Sequence, residues 1–177
     1  VEVDGVTFGN VTTVNGSVML TSAGDTTINN IDTSNTDDDA NDVTVDAGPG
    51  NISLGVINSG TAGDTDLTSG GGITDNNGAA TNITTGDLTI QAVSAIGAIT
   101  DFRAGAGDAL EIAVNQTLTQ VLTTGANSTI NLNVGATIPT ITPGAIDPGF
   151  FVVGDAIVQT SGNLDSATVN PGFIFDA

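Results

Sequence analysis

This sequence predicts an all-β protein built as a parallel β-helix (β-solenoid), and three observations lead to that fold class. Its apolar residues are almost entirely Val, Ile, Leu and Ala, with six Phe, no Trp and no Tyr. Helix-favouring Glu and Lys are nearly absent, while Gly, Thr, Asn and Asp are abundant. Short alternating segments recur at a nearly constant interval. β-Branched residues suit pleated strands and Gly and Asn suit tight turns, so the composition favours short strands with tight connections.

The recurring segments define the architecture. Three of them read SVMLTSAGD (17–25), DVTVDAGPGN (42–51) and DTDLTSGGG (64–72). The equivalent apolar positions are Leu20, Val45, Leu67, Ile90 and Val114, followed by Leu132. The steps between them are 25, 22, 23, 24 and 18 residues. A second apolar cluster follows each first one, at Ile28, Ile52, Ile73, Ile96 and Leu118.

A period in the low twenties with two short strands per period is typical of a β-solenoid. One coil cannot enclose its own inward row of aliphatic side chains, but stacked coils place like residues above like and close a continuous core. We therefore predict about five to six coils of 22–25 residues over residues 16–136. A β-sandwich is the alternative architecture, because it also has strands every 8–12 residues. A β-sandwich does not explain why LTSAGD and LTSGGG recur at the same position of the repeat.

The runs GSVMLTSAGDTTINNIDTS, GNISLGVINSG, LTSGGGITDNNGAATNITTGDLTIQA and DALEIAV carry a family resemblance. They resemble the repeats of filamentous-haemagglutinin-like bacterial adhesins and of other large surface proteins made of β-strand repeats. The resemblance covers about residues 16–135. It implies a right-handed parallel β-helix, secreted or exposed at the cell surface, that serves in adhesion or as extracellular scaffold. It implies no functional residues, because the shared positions are core and turn positions.

The two flanking segments lie outside the clean repeat. Residues 1–15 contain five Val and suggest one or two strands that act as a cap or as an inter-subunit strand. Residues 137–177 contain four of the five Pro, and DPGFFVVGD is echoed there 23 residues later by NPGFIFDA. We interpret this segment as a cap or as a subunit-docking segment. Its docking surface would consist of Phe150, Phe151, Phe173 and Phe175.

The net charge of the chain limits the classes of molecule that it is expected to bind. Twenty acidic residues face a single basic residue, Arg103, and the net charge is −19. Such a surface repels nucleic acid and anionic lipid, so cations are the expected small partners. No apolar run approaches the roughly 18 residues of a membrane span. The chain begins at Val1, and we interpret it as a processed or excised piece of a longer precursor.

Catalysis is not predicted. The chain has no His, Cys, Lys or Tyr, which are the commonest general bases and activated nucleophiles. Pairs of Asp could in principle cleave polysaccharides, but a glycan site also favours aromatic platforms, and Trp and Tyr are missing. Ice binding would need Thr in ranks at the coil period, and the Thr–Thr pairs are irregularly spaced. We therefore expect no enzyme activity and no required cofactor.

Calcium is the cation that the sequence favours. The run DTSNTDDDAND (32–42) holds five carboxylates, and calcium takes six to eight hard oxygen ligands. The helix-flanked calcium loop does not fit, because Asp42 stands at the position of its turn Gly. We place this run as an insertion at a solenoid corner, between Ile31 and Val43, and expect a hydrated acidic protrusion that binds calcium or meets a neighbouring subunit, rather than a preformed metal cage. We name Asp37, Asp38 and Asp39 as the candidate calcium ligands.

The sequence as a whole predicts an extracellular structural protein, a β-solenoid module of a cell-surface adhesin or filament that assembles head-to-tail. Its partner would be a second copy or the neighbouring repeats of a longer chain. The alternative is a module that binds a glycan or a host protein without polymerising. A calcium-dependent scaffold, a polysaccharide-active enzyme and an ice-binding protein are less favoured.

Overall fold

The computed structural model describes residues 4–97, 109–124, 130–134, 140–141 and 156–160. Within these ranges the regular secondary structure is entirely β, with no helix. The strands are β1 (Val6–Thr12), β2 (Val18–Thr21), β3 (Thr26–Asp32), β4 (Val43–Asp46), β5 (Ile52–Asn58), β6 (Thr65–Ser69), β7 (Ile73–Asp75), β8 (Ile83–Thr85), β9 (Leu88–Ala92), β10 (Leu110–Val114), β11 (Thr117–Thr123), β12 (Ile130–Val134), β13 (Thr140–Ile141) and β14 (Ala156–Thr160).

The strands stack into two parallel sheets. The first has the order β1-β3-β5-β8-β10-β12-β14, with β7 also paired to β5, and the second has the order β13-β11-β9-β6-β4-β2. Consecutive strands of the chain mostly alternate between the two sheets, so each coil adds a strand to both. This arrangement is a β-solenoid and confirms the predicted fold class. Every strand pairing in the described ranges is parallel, which contradicts the antiparallel β-sandwich alternative.

The core lies between the two sheets and consists of stacked aliphatic rows. In the second sheet the predicted row is confirmed, because Leu20 pairs with Val45, Val45 with Leu67, and Leu67 with Ile90. The last three side chains of this row are buried. In the first sheet, Ile31 pairs with Ile57, which in turn pairs with Ile83. Burying each such side chain contributes about 1.5–3 kcal/mol, and the contribution depends on the coil above and the coil below.

The predicted row is wrong beyond Ile90. The residue that pairs with Ile90 is Val121, 31 residues later, whereas Val114 lies in the first sheet beside Thr85. Two further positions lie in the sheet opposite to the predicted one. They are Leu118, which pairs with Leu88 in the second sheet, and Leu132, which pairs with Leu110 in the first. The error arises because β9 and β10 both have apolar residues at their first, third and fifth positions, so the apolar pattern alone does not tell which sheet a strand joins.

One coil carries an internal insertion in the first sheet. Strand β5 pairs with β7 over residues 52–54 and with β8 over residues 57–58. The chain between β7 and β8, residues 76–82, leaves the sheet opposite the middle of β5. Asn82 ends this excursion, and its side chain donates hydrogen bonds to the carbonyl oxygens of Leu54 and Gly55, both at 3.0 Å. The backbone pairing along β5 is therefore interrupted in the middle of the strand and resumes at β8.

The flanking segments contribute strands to the same two sheets. Strand β1, in the amino-terminal segment, pairs with β3, while β13 and β14, in the carboxy-terminal segment, pair with β11 and β12. The four Phe of the predicted docking surface lie outside the described residues, as does Arg103. Among the residues that the structure describes, none belongs to a helix long and apolar enough to span a membrane.

Candidate functional site

The acidic run predicted at residues 32–42 begins with the last residue of β3, Asp32, and its remainder, residues 33–42, is the acidic loop that connects β3 to β4 at a corner of the solenoid. Residues 35–40 are exposed, whereas Thr33 and Asn41 at its two ends are buried. The hydroxyl of Thr33 donates a 2.6 Å hydrogen bond to the carbonyl oxygen of Asn41, which closes the loop at its base. The chain therefore leaves and re-enters the coil at one place, and the predicted insertion between Ile31 and Val43 is confirmed.

Asn41 anchors the loop to the preceding coil as well. Its side-chain Nδ2 donates to the hydroxyl of Thr36 at 2.9 Å, within the loop. Its Oδ1 accepts the backbone N–H of Gly16 at 2.9 Å, from the turn between β1 and β2. Ser17 Oγ adds a 3.0 Å hydrogen bond to the carbonyl oxygen of Ala40. These contacts fix the acidic loop against the amino-terminal coil.

Asp37 connects the loop to the following coil. Its carboxylate accepts the backbone N–H and the hydroxyl of Thr61, the latter at 2.7 Å, and the backbone N–H of Ala62 at 3.1 Å. The side-chain hydrogen bond from Thr61, together with the backbone hydrogen bonds, lowers the pKa of Asp37. Gly60 must be glycine here, because its φ is 88° and a Cβ would collide with the Asp37 carboxylate. Asp37 thus caps the turn of the next coil.

The other two candidate ligands are placed differently. Asp38 Oδ1 accepts the backbone N–H of Ala40 at 3.3 Å and so supports its own turn. The side chain of Asp39 is exposed, and its charge repels that of Asp64. The three neighbours in sequence therefore have three separate environments. Among the contacts between described residues, Asp37 is the one of the three that is hydrogen-bonded to another coil.

A ladder of carboxylates runs along the same corner, where the strands of the second sheet begin. We call Asp42, Asp64 and Asp87 the carboxylate ladder. Asp42 Oδ1 accepts the backbone N–H of Asp64 at 3.1 Å, and Asp64 Oδ1 accepts that of Asp87 at 3.2 Å. Asp87 Oδ1 accepts the N–H of Thr117 at 2.8 Å. Each carboxylate therefore bonds to the next coil at the same corner.

Stacking like charges has an electrostatic cost at the middle rung. Burial raises the pKa of Asp64, and repulsion from Asp87, Asp42 and Asp39 raises it further, against the hydrogen bond from Asp87. The hydrogen bonds of the carboxylate ladder therefore join successive coils, while the repulsion between its charges opposes this stacking. Within the described ranges, no group of three or more acidic side chains is arranged to hold a metal ion. Calcium binding by Asp37, Asp38 and Asp39 stays a prediction.

The strain at Asp64 predicts an unusual pH dependence. Because its pKa in the folded chain is raised, Asp64 takes up a proton more readily in the folded state than in the unfolded state. Its contribution to stability should therefore increase as the pH falls from neutral through the raised pKa, and level off below the ordinary pKa of an Asp. Asp64→Asn keeps the oxygen that accepts the Asp87 N–H and removes the charge. We expect it to stabilise the protein at neutral pH by about 0.5 kcal/mol.

Urea unfolding of both proteins between neutral and mildly acidic pH measures this effect. The difference between Asp64→Asn and the parent should shrink as the pH falls. Asp66→Asn is the matched control, because Asp66 is exposed on a strand of the same coil and its substitution removes the same charge. An equal gain in the free energy of unfolding of both variants would show that the lower net charge, rather than repulsion within the carboxylate ladder, is responsible.

Sequence reasoning missed the ladder and the capping role of Asp37. The only signal for the ladder was the Asp that precedes each of β4, β6 and β9, at residues 42, 64 and 87. For Asp37 no signal existed, since Thr61 lies 24 residues away. Asn41 and Asn82 likewise resemble ordinary loop residues in the sequence. Chemically, the described corner offers hydrogen-bond acceptors and negative charge, without a nucleophile activated by a base.

Comparisons with protein-family models, curated proteins and solved structures found no significant match. The solenoid expected from the adhesin resemblance is confirmed by the strand pairing, whereas membership of the filamentous-haemagglutinin-like family has no support from these comparisons.

Proposed function

We propose that this chain is a β-solenoid module of an extracellular structural protein, a cell-surface adhesin or filament, whose modules stack end to end. The observation that carries the proposal is the parallel stacking of coils, which another coil of the same polarity can extend without changing the pattern. A head-to-tail contact between unlike ends does not close on itself and so builds a filament. The expected neighbour is a second copy or an adjacent repeat of a longer chain.

The environment of β1 supports end-to-end stacking. In the described residues β1 pairs on one side only, with β3. Val6, Phe8 and Val11 of β1 continue the inward row of β3, but they are only half-buried, whereas Ile28 and Ile31 beside them are fully buried. A further coil placed on β1 would pair its backbone edge and cover these apolar side chains.

Assembly of the isolated chain tests the self-assembling form of this proposal. Electron microscopy of the concentrated protein should show fibres with a regular axial repeat. Because each subunit carries a net charge of −19, fibre formation should increase with salt or calcium. Phe8→Asp places a charge at the open end of the core and should abolish the fibres. Thr68→Asp adds the same charge at an exposed side chain of β6, which pairs on both sides within the solenoid, and should leave them intact.

A chain that stays monomeric at high concentration, with and without calcium, would contradict self-assembly. Circular dichroism of Phe8→Asp must show the parent β-sheet signal, so that loss of fibres is not loss of fold. Equal inhibition by both Asp variants would mean that added charge, and not the end of the core, limits assembly.

A second candidate, binding of a neutral glycan, is favoured by one face of the first sheet. Thr7, Thr27, Ser53 and Thr74 lie in register on adjacent strands, and all four are at least partly exposed. This column is uncharged although the chain is strongly acidic. Its hydroxyls could exchange hydrogen bonds with sugar hydroxyls along an extended chain. Thr27→Val with Ser53→Ala should then weaken sedimentation with insoluble polysaccharide, while Thr44→Val with Thr68→Val on the other sheet should not.

A further inference from the structure

The described residues contain two Asn–Gly dipeptides, Asn15–Gly16 and Asn77–Gly78, and both lie between strands. Glycine has no Cβ, so its backbone nitrogen can approach the side chain of the preceding residue with little hindrance. The nitrogen can then attack the Asn carboxamide carbon. Whether this happens depends on how firmly the folded structure holds the carboxamide and the glycine N–H. The two sites differ strongly in that respect.

Asn77 is held by several hydrogen bonds. Its Nδ2 donates to the carbonyl oxygens of Gly55 at 3.0 Å and Thr81 at 3.3 Å. Its Oδ1 accepts from Asn82 Nδ2 at 3.1 Å, and its backbone N–H donates to Asp75 Oδ1 at 2.8 Å. Rotating this carboxamide toward Gly78 would break contacts to both the sheet and the loop. Reaction at Asn77 therefore requires local unfolding of residues 76–82.

Asn15 has no such restraint. It is exposed at the turn between β1 and β2, and no side-chain hydrogen bond holds it within the described part of the chain. The restraint lies instead on the nucleophile, because the Gly16 N–H donates to Asn41 Oδ1 at 2.9 Å. Asn41 is fully buried and is itself held by Thr36 and Thr33. The attacking nitrogen is therefore engaged while the carboxamide is free.

From this contrast we propose that Asn15 is a site of spontaneous deamidation and isomerisation, and that the hydrogen bond from Gly16 to Asn41 sets its rate. In the first step the Gly16 nitrogen loses its proton, bonds to Asn15 Cγ and expels the carboxamide nitrogen as ammonia. Water then opens the resulting five-membered imide at either carbonyl. One opening yields an aspartyl residue with the normal backbone linkage and the other yields an isoaspartyl linkage, each with the Gly16 N–H restored. Water is consumed, ammonia is released, and no oxidant is needed.

The reaction affects the contact between two coils. While the imide exists, Gly16 has no N–H, and its hydrogen bond to Asn41 is absent. The isoaspartyl product lengthens the backbone beside Gly16, so the geometry of that bond is lost. The Gly16–Asn41 hydrogen bond is one of the contacts that fix the acidic loop to the amino-terminal coil, beside that from Ser17 Oγ to Ala40. Reaction at Asn15 therefore loosens the acidic loop on its amino-terminal side, while the contacts of Asp37 to Thr61 remain.

Peptide mapping by mass spectrometry during incubation of the folded chain at mildly alkaline pH tests the proposal. Asn15 should deamidate at least about tenfold faster than Asn77, which reacts only through local opening. Asn41→Ala frees the Gly16 N–H and should accelerate reaction at Asn15 by about fivefold, which corresponds to about 1 kcal/mol, the net contribution of one hydrogen bond. Asn41→Asp keeps an acceptor oxygen and should react at close to the parent rate.

The same chain in urea is the internal control, since both Asn–Gly dipeptides should then react at similar rates. Thr36→Val removes the other side-chain hydrogen bond of Asn41 and should leave the deamidation rate of Asn15 within about twofold of the parent rate. This variant distinguishes loss of the Gly16–Asn41 hydrogen bond from a general loosening of the loop. Equal rates at Asn15 and Asn77 in the folded chain would overturn the proposal. So would an Asn41→Ala rate equal to that of the parent.

Discussion

Asn82→Ala is expected to lower the free energy of unfolding by about 4 kcal/mol, a loss near the upper limit for single substitutions. Asn82 is fully buried, and its Oδ1 accepts the backbone N–H of Glu111 at 2.9 Å. Its Nδ2 is surrounded by the carbonyl oxygens of Leu54 and Gly55 and by Asp75 Oδ1 at 2.8 Å. Asn77 Oδ1 lies 3.1 Å from the same Nδ2, so alanine removes the acceptor of one buried N–H and the donor group shared by four oxygens. It also leaves a cavity where three strands meet.

Urea unfolding followed by circular dichroism measures this loss. Asn76→Ala is the control, because Asn76 is exposed in the same segment and its hydrogen bond to the carbonyl oxygen of Leu54 comes from the backbone. That variant should lie within about 0.5 kcal/mol of the parent. A loss below about 1 kcal/mol in Asn82→Ala would mean that water replaces the side chain and satisfies the same groups.

Gly55→Ala is expected to destabilise the protein by about 3 kcal/mol, at the upper end of the usual range for overpacking. Gly55 lies in the middle of β5, where the added Cβ would be 2.7 Å from the carbonyl oxygen of Ile28 and closer still to that of Asn29. Both of these oxygens are backbone atoms of β3, so neither can move without disturbing the backbone pairing of β3 with β5. The added methyl group therefore forces two coils apart.

Gly9→Ala provides a matched control from the same chain. Gly9 holds the same place in β1 as Gly55 holds in β5, the fourth residue of a seven-residue strand. A Cβ at Gly9 would meet no atom of the described residues within 4 Å. Both variants add one methyl group and remove one glycine from a strand, so only the stacking differs. If urea unfolding gave equal losses for the two, close approach between coils would not explain the effect.

The first part of the solenoid was predictable because its coils keep nearly constant length. From Leu20 to Ile90 the steps stay between 22 and 25 residues, and the strand register follows them. Prediction failed at Val114 because the coil after Ile90 is longer and β10, like β9, has an apolar residue at its first, third and fifth positions. Alternation reports that a strand has an inward face, and it does not report which sheet the strand joins.

The candidate site, like the fold, was predicted from the sequence only in part. The sequence located the acidic loop, because a run that is polar at every position except Ala40 lies between two apolar strands and is best placed at a corner. It did not indicate that Asp37 binds Thr61 and Ala62, or that Asp42, Asp64 and Asp87 form a ladder. These contacts join residues 22 to 25 positions apart. They depend on the register of stacking, in which a shift of one residue would direct each side chain to the opposite face.

By itself, therefore, the sequence determined that this chain is all-β, that it stacks as a solenoid and that its acidic insertion lies at a corner. Those properties follow from local causes, namely side-chain alternation, turn-forming residues and the period at which both recur. Only the tertiary structure decided which carboxylates are bound, which Asn are buried and which glycines have no room for a side chain. The physical reason is that Asp37, Asn41, Asn82 and Gly55 all meet residues of a neighbouring coil, and only the parallel strand register brings the two coils together.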